Sequence, residues 1–460
     1  MNFIRSTDRL VLMVLIIGPA FAQSPVGDVV GKLVVGYQGW FATPFDGSPR
    51  RSWVHWTIRS GPNGSTPPST GNCKFELYPD VREYLQLYQT GLAALGNGQP
   101  ANLFSSWNQL TVNTHFSWMQ TYNIDTAALQ RFGSDLVFPL AAQQMNGVAF
   151  NVQRAAETYG RKFFVMYDLS GWTNFTTQLM PDFNSTVINL MQSPAYARQN
   201  GKPVICIWGI GFGEPGGNRP NNPTGTQNII NQLKTNYYVM CGVPHTWRTN
   251  DGISLPAYAS VYRSCNMIQP WTVGTYGTIE TAKLYATREG ADLQECRNLG
   301  IDYQPVVFPG FAWSNWNGGP RNVIPRNNGT FMWQQFKNIR SLQCPNVYVA
   351  MFDEYDEGTA IAKAAETKQM APRDQYFLTL DEDRGRLSSD FYLRLVRDGM
   401  ALIRGQFPLT DASIPPTSQQ ATTSGQLTTT SSQFMSAFAR MMPPNAVSML
   451  QSVFAIVGLA

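Results

Sequence analysis

From about residue 30 to residue 405 the chain repeats one pattern: a short apolar, β-rich run, a polar or aromatic cluster, and a stretch whose apolar positions have helical spacing. Parallel β/α units produce this alternation, because each strand is covered by the helix that follows it. The candidate strands are residues 32–37, 125–131, 162–168, 203–209, 237–242, 267–271, 303–308 and 346–352. Eight runs predict an α/β fold of the (β/α)8 TIM-barrel type with long loops. Runs such as Phe163-Phe164-Val165-Met166 are apolar throughout, as expected of strands covered on both faces. Residues 142–159, 227–236, 280–299 and 388–403 have the spacing of helices that would coat such a barrel. The first long insertion, residues 42–113, is rich in Gly, Pro, Ser and Asn and is expected to shape one wall of a cleft.

The two ends of the chain depart from this pattern. Basic residues between Arg5 and Arg9, an apolar run from Leu10 to Ala20 and the small-x-small triplet Ala20-Phe21-Ala22 predict a secretory signal peptide over residues 1–22. The apolar run is about half the length a bilayer-spanning helix requires. The barrel domain is then expected over residues 23–405. Residues 406–445 are dominated by Ser, Thr, Gln and Pro, a composition that cannot pack a core, and are read as a disordered, O-glycosylatable stalk. Residues 446–460 are apolar and almost uncharged, the form of a glycosylphosphatidylinositol signal, with a short amphipathic helix or a disordered end as the alternatives. Membrane attachment through such a lipid anchor is therefore one expectation, and the Ser436-Ala437 pair followed by Phe438 is a poor cleavage site.

Composition narrows the chemistry. A hydrophobic fraction of 43% allows a large core, and a net charge of +4 with no long basic run gives nucleic acid nothing to bind. The 12 Trp, 19 Tyr and 26 Phe suit sugars, whose C–H faces stack on aromatic rings, although any large core contains aromatics. Six cysteines (Cys73, Cys206, Cys241, Cys265, Cys296 and Cys344) lack zinc-site spacing, and an oxidising compartment would let them pair in any of fifteen connectivities. Four N-x-Ser/Thr sequons begin at Asn63, Asn174, Asn184 and Asn328. With three histidines in the whole chain, no metal and no cofactor is expected.

In a β/α barrel the C-terminal strand ends converge on one face, where the active site forms. Near those ends lie Tyr37, Gln38, Trp40, Gln130, Arg131, Asp168, Trp208, His245, Trp247, Arg248, Trp271, Trp313 and Asp353. Each alone is an ordinary loop residue; as a series they predict a substrate site. The sharpest signal is Ala350-Met351-Phe352-Asp353-Glu354-Tyr355-Asp356-Glu357-Gly358-Thr359, an apolar strand ending in four carboxylates within five positions. Such crowding raises carboxylate pKa values, which suits a site needing one protonated and one ionised carboxyl group, as glycoside cleavage does. A calcium loop or a solvated acidic turn is the alternative, but EF-hand ligands are spaced more widely.

The segment Glu354-Tyr355-Asp356-Glu357-Gly358-Thr359 resembles the Glu-x-x-Glu-Gly-Thr signature of glycoside hydrolase family 99, the endo-α-mannosidases, and of the related family 71 and 99-like proteins. Val35-Gly36-Tyr37-Gln38-Gly39-Trp40 and Trp53-Val54-His55-Trp56 resemble the group's first strand and following loop. Leu129-Gln130-Arg131-Phe132, Tyr167-Asp168, Ile207-Trp208-Gly209, Pro244-His245-Thr246-Trp247-Arg248 and Pro309-Gly310-Phe311-Ala312-Trp313 resemble its later strand ends in order, so the likeness runs over residues 32–365. The resemblance implies that Glu357 is the acid/base and that Glu354 takes the proton of the sugar 2-hydroxyl, with net retention. Asp353 and Tyr355 stand where the mannosidases usually carry Asn and Trp, so an extra carboxylate is expected to perturb Glu354.

The expected function is a secreted, endo-acting hydrolase of α-linked glycans of the mannan or glucan type, a monomer whose partner is its glycan. Glu354 and Glu357 are expected to be catalytic. Tyr37, Trp40, His55, Trp56, Gln130, Arg131, Asp168, Trp208, Trp247, Arg248, Trp271, Trp313, Asp353 and Tyr355 are expected to bind substrate. Asp168 is equally read as a helix cap, and Arg131 and Arg248 as structural ion-pair partners. The competing reading is a carbohydrate-binding wall or surface protein that kept the barrel without turnover; an esterase is disfavoured because no Gly-x-Ser-x-Gly elbow is present.

Overall fold

The computed structural model describes residues 24–59, 61, 64–214, 217–406, 408–409 and 414. The signal segment, the C-terminal apolar segment, most of the stalk and the sequon at Asn63 lie outside the described residues.

Nine parallel strands form one curled sheet: β1 (Leu33–Tyr37), β2 (Thr126–Phe132), β3 (Lys162–Asp168), β4 (Lys202–Trp208), β5 (Tyr238–Pro244), β6 (Met267–Trp271), β7 (Asp302–Tyr303), β8 (Val306–Val307) and β9 (Val347–Val349). The order is β7-β6-β5-β4-β3-β2-β1-β9-β8. The two ends of that path, β7 and β8, are consecutive in the chain and joined only by Gln304-Pro305, so together they form one stave and the sheet curls round on itself. Gln304 still donates its N–H to Ile268 at 2.9 Å, while Pro305 accepts from Tyr348 N at 2.9 Å. The expected strand over residues 303–308 is thus two short pieces. The physical reason is Pro305, which has no N–H to give the ladder, so pairing changes partner there.

The strands form because their β-branched and aromatic residues fill both faces: every residue of β1, β5, β8 and β9 is buried. The last expected strand, residues 346–352, keeps regular pairing only over Val347–Val349. Beyond it Ala350 N reaches Val307 O at 2.9 Å and Phe352 N reaches Gly36 O at 2.7 Å, but Met351 turns to bond Thr359 and Ile361 in the loop.

Helices α1 (Gln109–Thr121), α2 (Pro139–Tyr159), α3 (Phe175–Asp182), α4 (Pro223–Lys234), α5 (Ile279–Leu299), α6 (Thr330–Ser341) and α7 (Phe391–Ile403) alternate with the strands. Pro139 starts α2 where its missing N–H costs nothing, a Thr278/Thr281 capping box starts α5, and Gly160 and Gly300 close these two helices in the left-handed conformation. The helix expected from residue 388 begins at Phe391, because Ser388 bonds the Asp390 side chain and holds the preceding turn out of the helix.

Cys241 on β5 forms a disulfide with Cys265, just ahead of β6; Cys73, Cys206, Cys296 and Cys344 are free and buried. Asn174 and Asn184 are exposed, whereas Asn328 is half-buried with its amide donating to Asp383 O at 3.2 Å.

Candidate active site

The acidic segment leaves β9 as a loop fixed from several directions. Asp353 is buried, and its two oxygens accept the backbone N–H groups of Gln38 and Gly39 at 2.7 and 2.9 Å. Tyr355 O accepts from Glu76 and Leu77 N, Glu357 O accepts from Ala312 N at 2.9 Å, and the buried guanidinium of Arg326 donates to Gly358 O and Ala360 O at 2.8 and 2.7 Å. The carbonyls of residues 355, 357, 358 and 360 are therefore held, which fixes the course of the loop that carries Glu354 and Glu357.

Glu354 is 8% exposed and accepts one hydrogen bond, from Thr359 Oγ1 at 3.1 Å. Burial, then Glu357, then Asp356 hold its carboxyl group well above the usual range. Burial and Asp356 push Glu357 up to about 7, against the pull of Lys74 and Arg219. The two glutamates stand three residues apart on one loop, Glu354 buried and Glu357 half-buried. Asp353, pushed up to about 7 by burial, is only a minor influence on Glu354, because its oxygens are turned to the backbone of residues 38 and 39.

Beside this pair lies an aromatic groove with two lobes that share Arg50, Val54 and His55. One lobe, of about 560 Å³, runs along Gln38, Trp40, Gln130, Arg131 and Phe132. The other, of about 730 Å³, runs along Trp53, Thr57, Lys74 and Trp316. Neither lobe is lined by Glu354 or Glu357. Asp356 makes the connection, accepting from His55 Nδ1 at 2.7 Å and from Lys74 at 3.2 Å. Across the mouth Arg219 lies over Trp208 and Phe212 at 4.8 and 4.6 Å and pairs with Glu214, and Trp208 meets Trp271 edge to face at 5.2 Å. Gln38 Oε1, Gln130 Oε1, Trp40 Nε1, Trp208 Nε1 and Asp356 Oδ1 are buried without a hydrogen-bond partner among the described residues. Unpaired donors and acceptors between aromatic rings are what a polyhydroxylated ligand satisfies.

Of the residues expected to bind substrate, Trp40, His55 and Gln130 line the groove, while Trp208 meets Trp271 beneath Arg219 and Trp313 meets Trp316. Others do not present a side chain to it. Tyr37 is fully buried with its hydroxyl on His115 Nδ1 at 2.8 Å, Trp56 is fully buried and donates to Phe104 O, and Tyr355 is fully buried with its hydroxyl on Lys363 O. Trp247 is buried beneath Arg263. Arg131 lines the first lobe yet spends its guanidinium on Asp182 (2.7 and 2.5 Å), and Arg248 bonds Asp292 at 2.7 Å, so both take the structural role. Asp168 accepts from Ser170 N at 2.7 Å, a turn-forming bond, while facing Arg219. These corrections share a cause: a position at a strand end says nothing about which side of the wall a side chain takes.

Lys74, Arg219, Arg326 and Trp316 were missed. Trp316 stands three residues after Trp313, edge to face at 5.7 Å on one helical turn, and that spacing was available in the sequence. Nothing local marks the other three. Among the described residues no group of three or more His, Cys, Asp or Glu is arranged to hold a metal ion.

A curled parallel sheet, helices outside it, and acidic and aromatic side chains gathered at the strand C-terminal ends define a (β/α)8 barrel of the kind found in glycoside hydrolases. Its fold is similar to that of the GH99 endo-α-mannosidase from Bacteroides thetaiotaomicron, with a TM-score of 0.55 and 15% identity over 82% of this chain and 98% of that one. The same enzyme in complex with Bis-Tris-propane gives a TM-score of 0.54 at 15% identity and the same coverage. The sequence matches no family model and no curated protein. The likeness in motifs is therefore met at the level of fold.

Proposed function

We propose that this protein is a secreted glycoside hydrolase that cleaves α-linked glycans of the mannan or glucan type within the chain, using Glu354 and Glu357. The observation that carries the reading is the pair itself: Glu354 buried and Glu357 half-buried, three residues apart on the loop that leaves the last strand, with Asp356 between them joined to His55 and Lys74 of the aromatic groove. Glycoside cleavage requires one carboxyl group to protonate the leaving oxygen and another to act as base or nucleophile.

Without substrate the first proton belongs on Glu354, which is the more buried group, while Lys74 and Arg219 favour the ionised form of Glu357. Substrate reverses this. A sugar hydroxyl donating to Glu354 stabilises its carboxylate, and a glycosidic oxygen can accept only from a protonated Glu357. With the proton moved, Glu357 is the acid/base and Glu354 accepts the 2-hydroxyl proton. The disulfide between Cys241 and Cys265 supports an oxidising compartment, and the signal segment and lipid-anchor signal belong to the same proposal.

The test is digestion of α-mannan and α-glucan by the full chain. Oligosaccharide products are expected, with Glu357→Gln lowering the rate on natural substrates by about 100-fold or more. Undiminished cleavage by Glu357→Gln would sink the assignment, and glycan binding without products would favour a binding protein.

A further inference from the structure

Lys74 belongs to the long segment between β1 and β2, immediately after Cys73. Its ammonium lies 3.2 Å from Asp356 Oδ2 and 3.0 Å from His55 Nδ1, and stands 5.7 and 5.8 Å from the ring centres of Trp40 and Trp316. Asp356 is 3% exposed. A buried carboxylate without a counter-charge is costly, and Lys74 supplies that counter-charge. The same nitrogen, His55 Nδ1, lies 2.7 Å from Asp356 Oδ2, so ammonium, imidazole and carboxylate meet at one point. The His55 ring lies flat on Trp40, 3.6 Å away and within 7° of parallel, and its backbone takes the left-handed conformation at φ 61. A side chain held in that sparsely populated region marks a position the surroundings over-determine. Asp356 immediately precedes Glu357.

We propose that Lys74 is a positioning residue: it neutralises Asp356, locks it with His55 beneath Trp40, and presents a positive charge to the Glu357 carboxyl group. The inference rests on the reading of Glu354 and Glu357 as the reacting pair. The other charged groups facing Glu357 are Asp356 and Glu354 on its own loop and Arg219 from the segment after β4. Asp353 is turned to backbone amides, and His55 is neutral because burial and Lys74 lower its basicity. Removing the ammonium leaves Arg219 as the one cation facing Glu357 among the described residues and unbalances Asp356, so Glu357 must hold its proton more tightly.

The experiment follows the carboxyl titration of the full-length protein by NMR with ¹³C-labelled glutamate, the Glu357 signal being identified by its loss in Glu357→Gln. In Lys74→Met the Glu357 midpoint is expected to rise by about one pH unit, with Lys74→Arg close to wild type. With glycan as substrate, the limb of the pH profile near neutrality should move the same way. kcat should fall about tenfold while KM changes less than about twofold. Lys74→Gln, which keeps a hydrogen-bond donor without the charge, replaces Lys74→Met if the latter does not fold. An unmoved Glu357 midpoint in a folded charge-removing variant overturns the proposal. A wild-type protein that cleaves no glycan counts against the proposed function, while the titration still decides the role of Lys74.

Discussion

Asp353 ties the exit of the first strand to the start of the acidic loop: its Oδ1 accepts the Gln38 amide at 2.7 Å, and its Oδ2 accepts that of Gly39 at 2.9 Å. Both donors are main-chain groups, so the residue works as an acceptor twice over and its side chain is lost to substrate. Asp353→Asn turns one acceptor into a donor that faces an N–H. A loss of about 1–3 kcal/mol in unfolding free energy is expected, read by chemical denaturation, together with reduced glycan cleavage. Unchanged stability would show that the clamp contributes nothing.

The pH dependence of catalysis follows from Glu357. Its carboxyl group, pushed up to about 7 chiefly by burial, is protonated below that pH and loses its proton above it. A pair that must carry a single proton then gives a kcat/KM that rises as pH passes about 7, where the second proton leaves, and falls again at the higher pH where Glu354 gives up the last one. A pH–rate profile checks this, and a flat profile through neutrality contradicts the assignment of Glu357 as acid.

Trp316 is the aromatic wall of the larger lobe, with an indole N–H that has no partner among the described residues. Trp316→Ala removes a stacking surface without touching Glu354 or Glu357. KM for a long glycan is expected to rise about five- to tenfold with kcat little changed, which initial-rate kinetics on long and short substrates would resolve.

Glu289 and Asp292, one turn apart on α5, are both buried, and burial together with Asp292 pushes Glu289 up to about 8. Its folded-state pKa thus exceeds that of the unfolded chain, so between roughly pH 4.5 and 8 the folded state binds more protons and stability declines as pH rises. Glu289→Gln removes this penalty. The variant should be more stable than wild type by about 1–3 kcal/mol at pH 8 to 9 and similar to it near pH 4.5, as read from thermal melts across pH.

Much of the fold was legible because parallel strands buried on both faces leave continuous apolar runs, and β3 and β6 match their expected spans residue for residue. α1, α3 and α6 were not legible. The inward positions of α1 and α6 include His115, Gln335 and Asn338, polar residues buried with partners that only the folded chain supplies, as when Gln335 bonds Phe308 N and O, and α3 is short and carries Pro181 inside it. In the site, the carboxylate segment announced itself through crowding of like charges. Lys74 and Arg326 could not, since what makes them matter is the acidic loop about 280 and 30 residues away that they meet in space, and a single cation in a loop carries no local sign of that.

The stave built from β7 and β8 sets where the wall can breathe. Each piece pairs with its neighbour over two residues, whereas β2 and β3 run together through seven, from Thr126 with Lys162 to Phe132 with Asp168. The join with the fewest ladder bonds adjoins β9, the strand that bears the acid pair. Fluctuations that part the cylinder therefore begin beside Glu354 and leave the opposite side standing. The mouth thus has a rigid rim on one side and a compliant one next to Glu354 and Glu357.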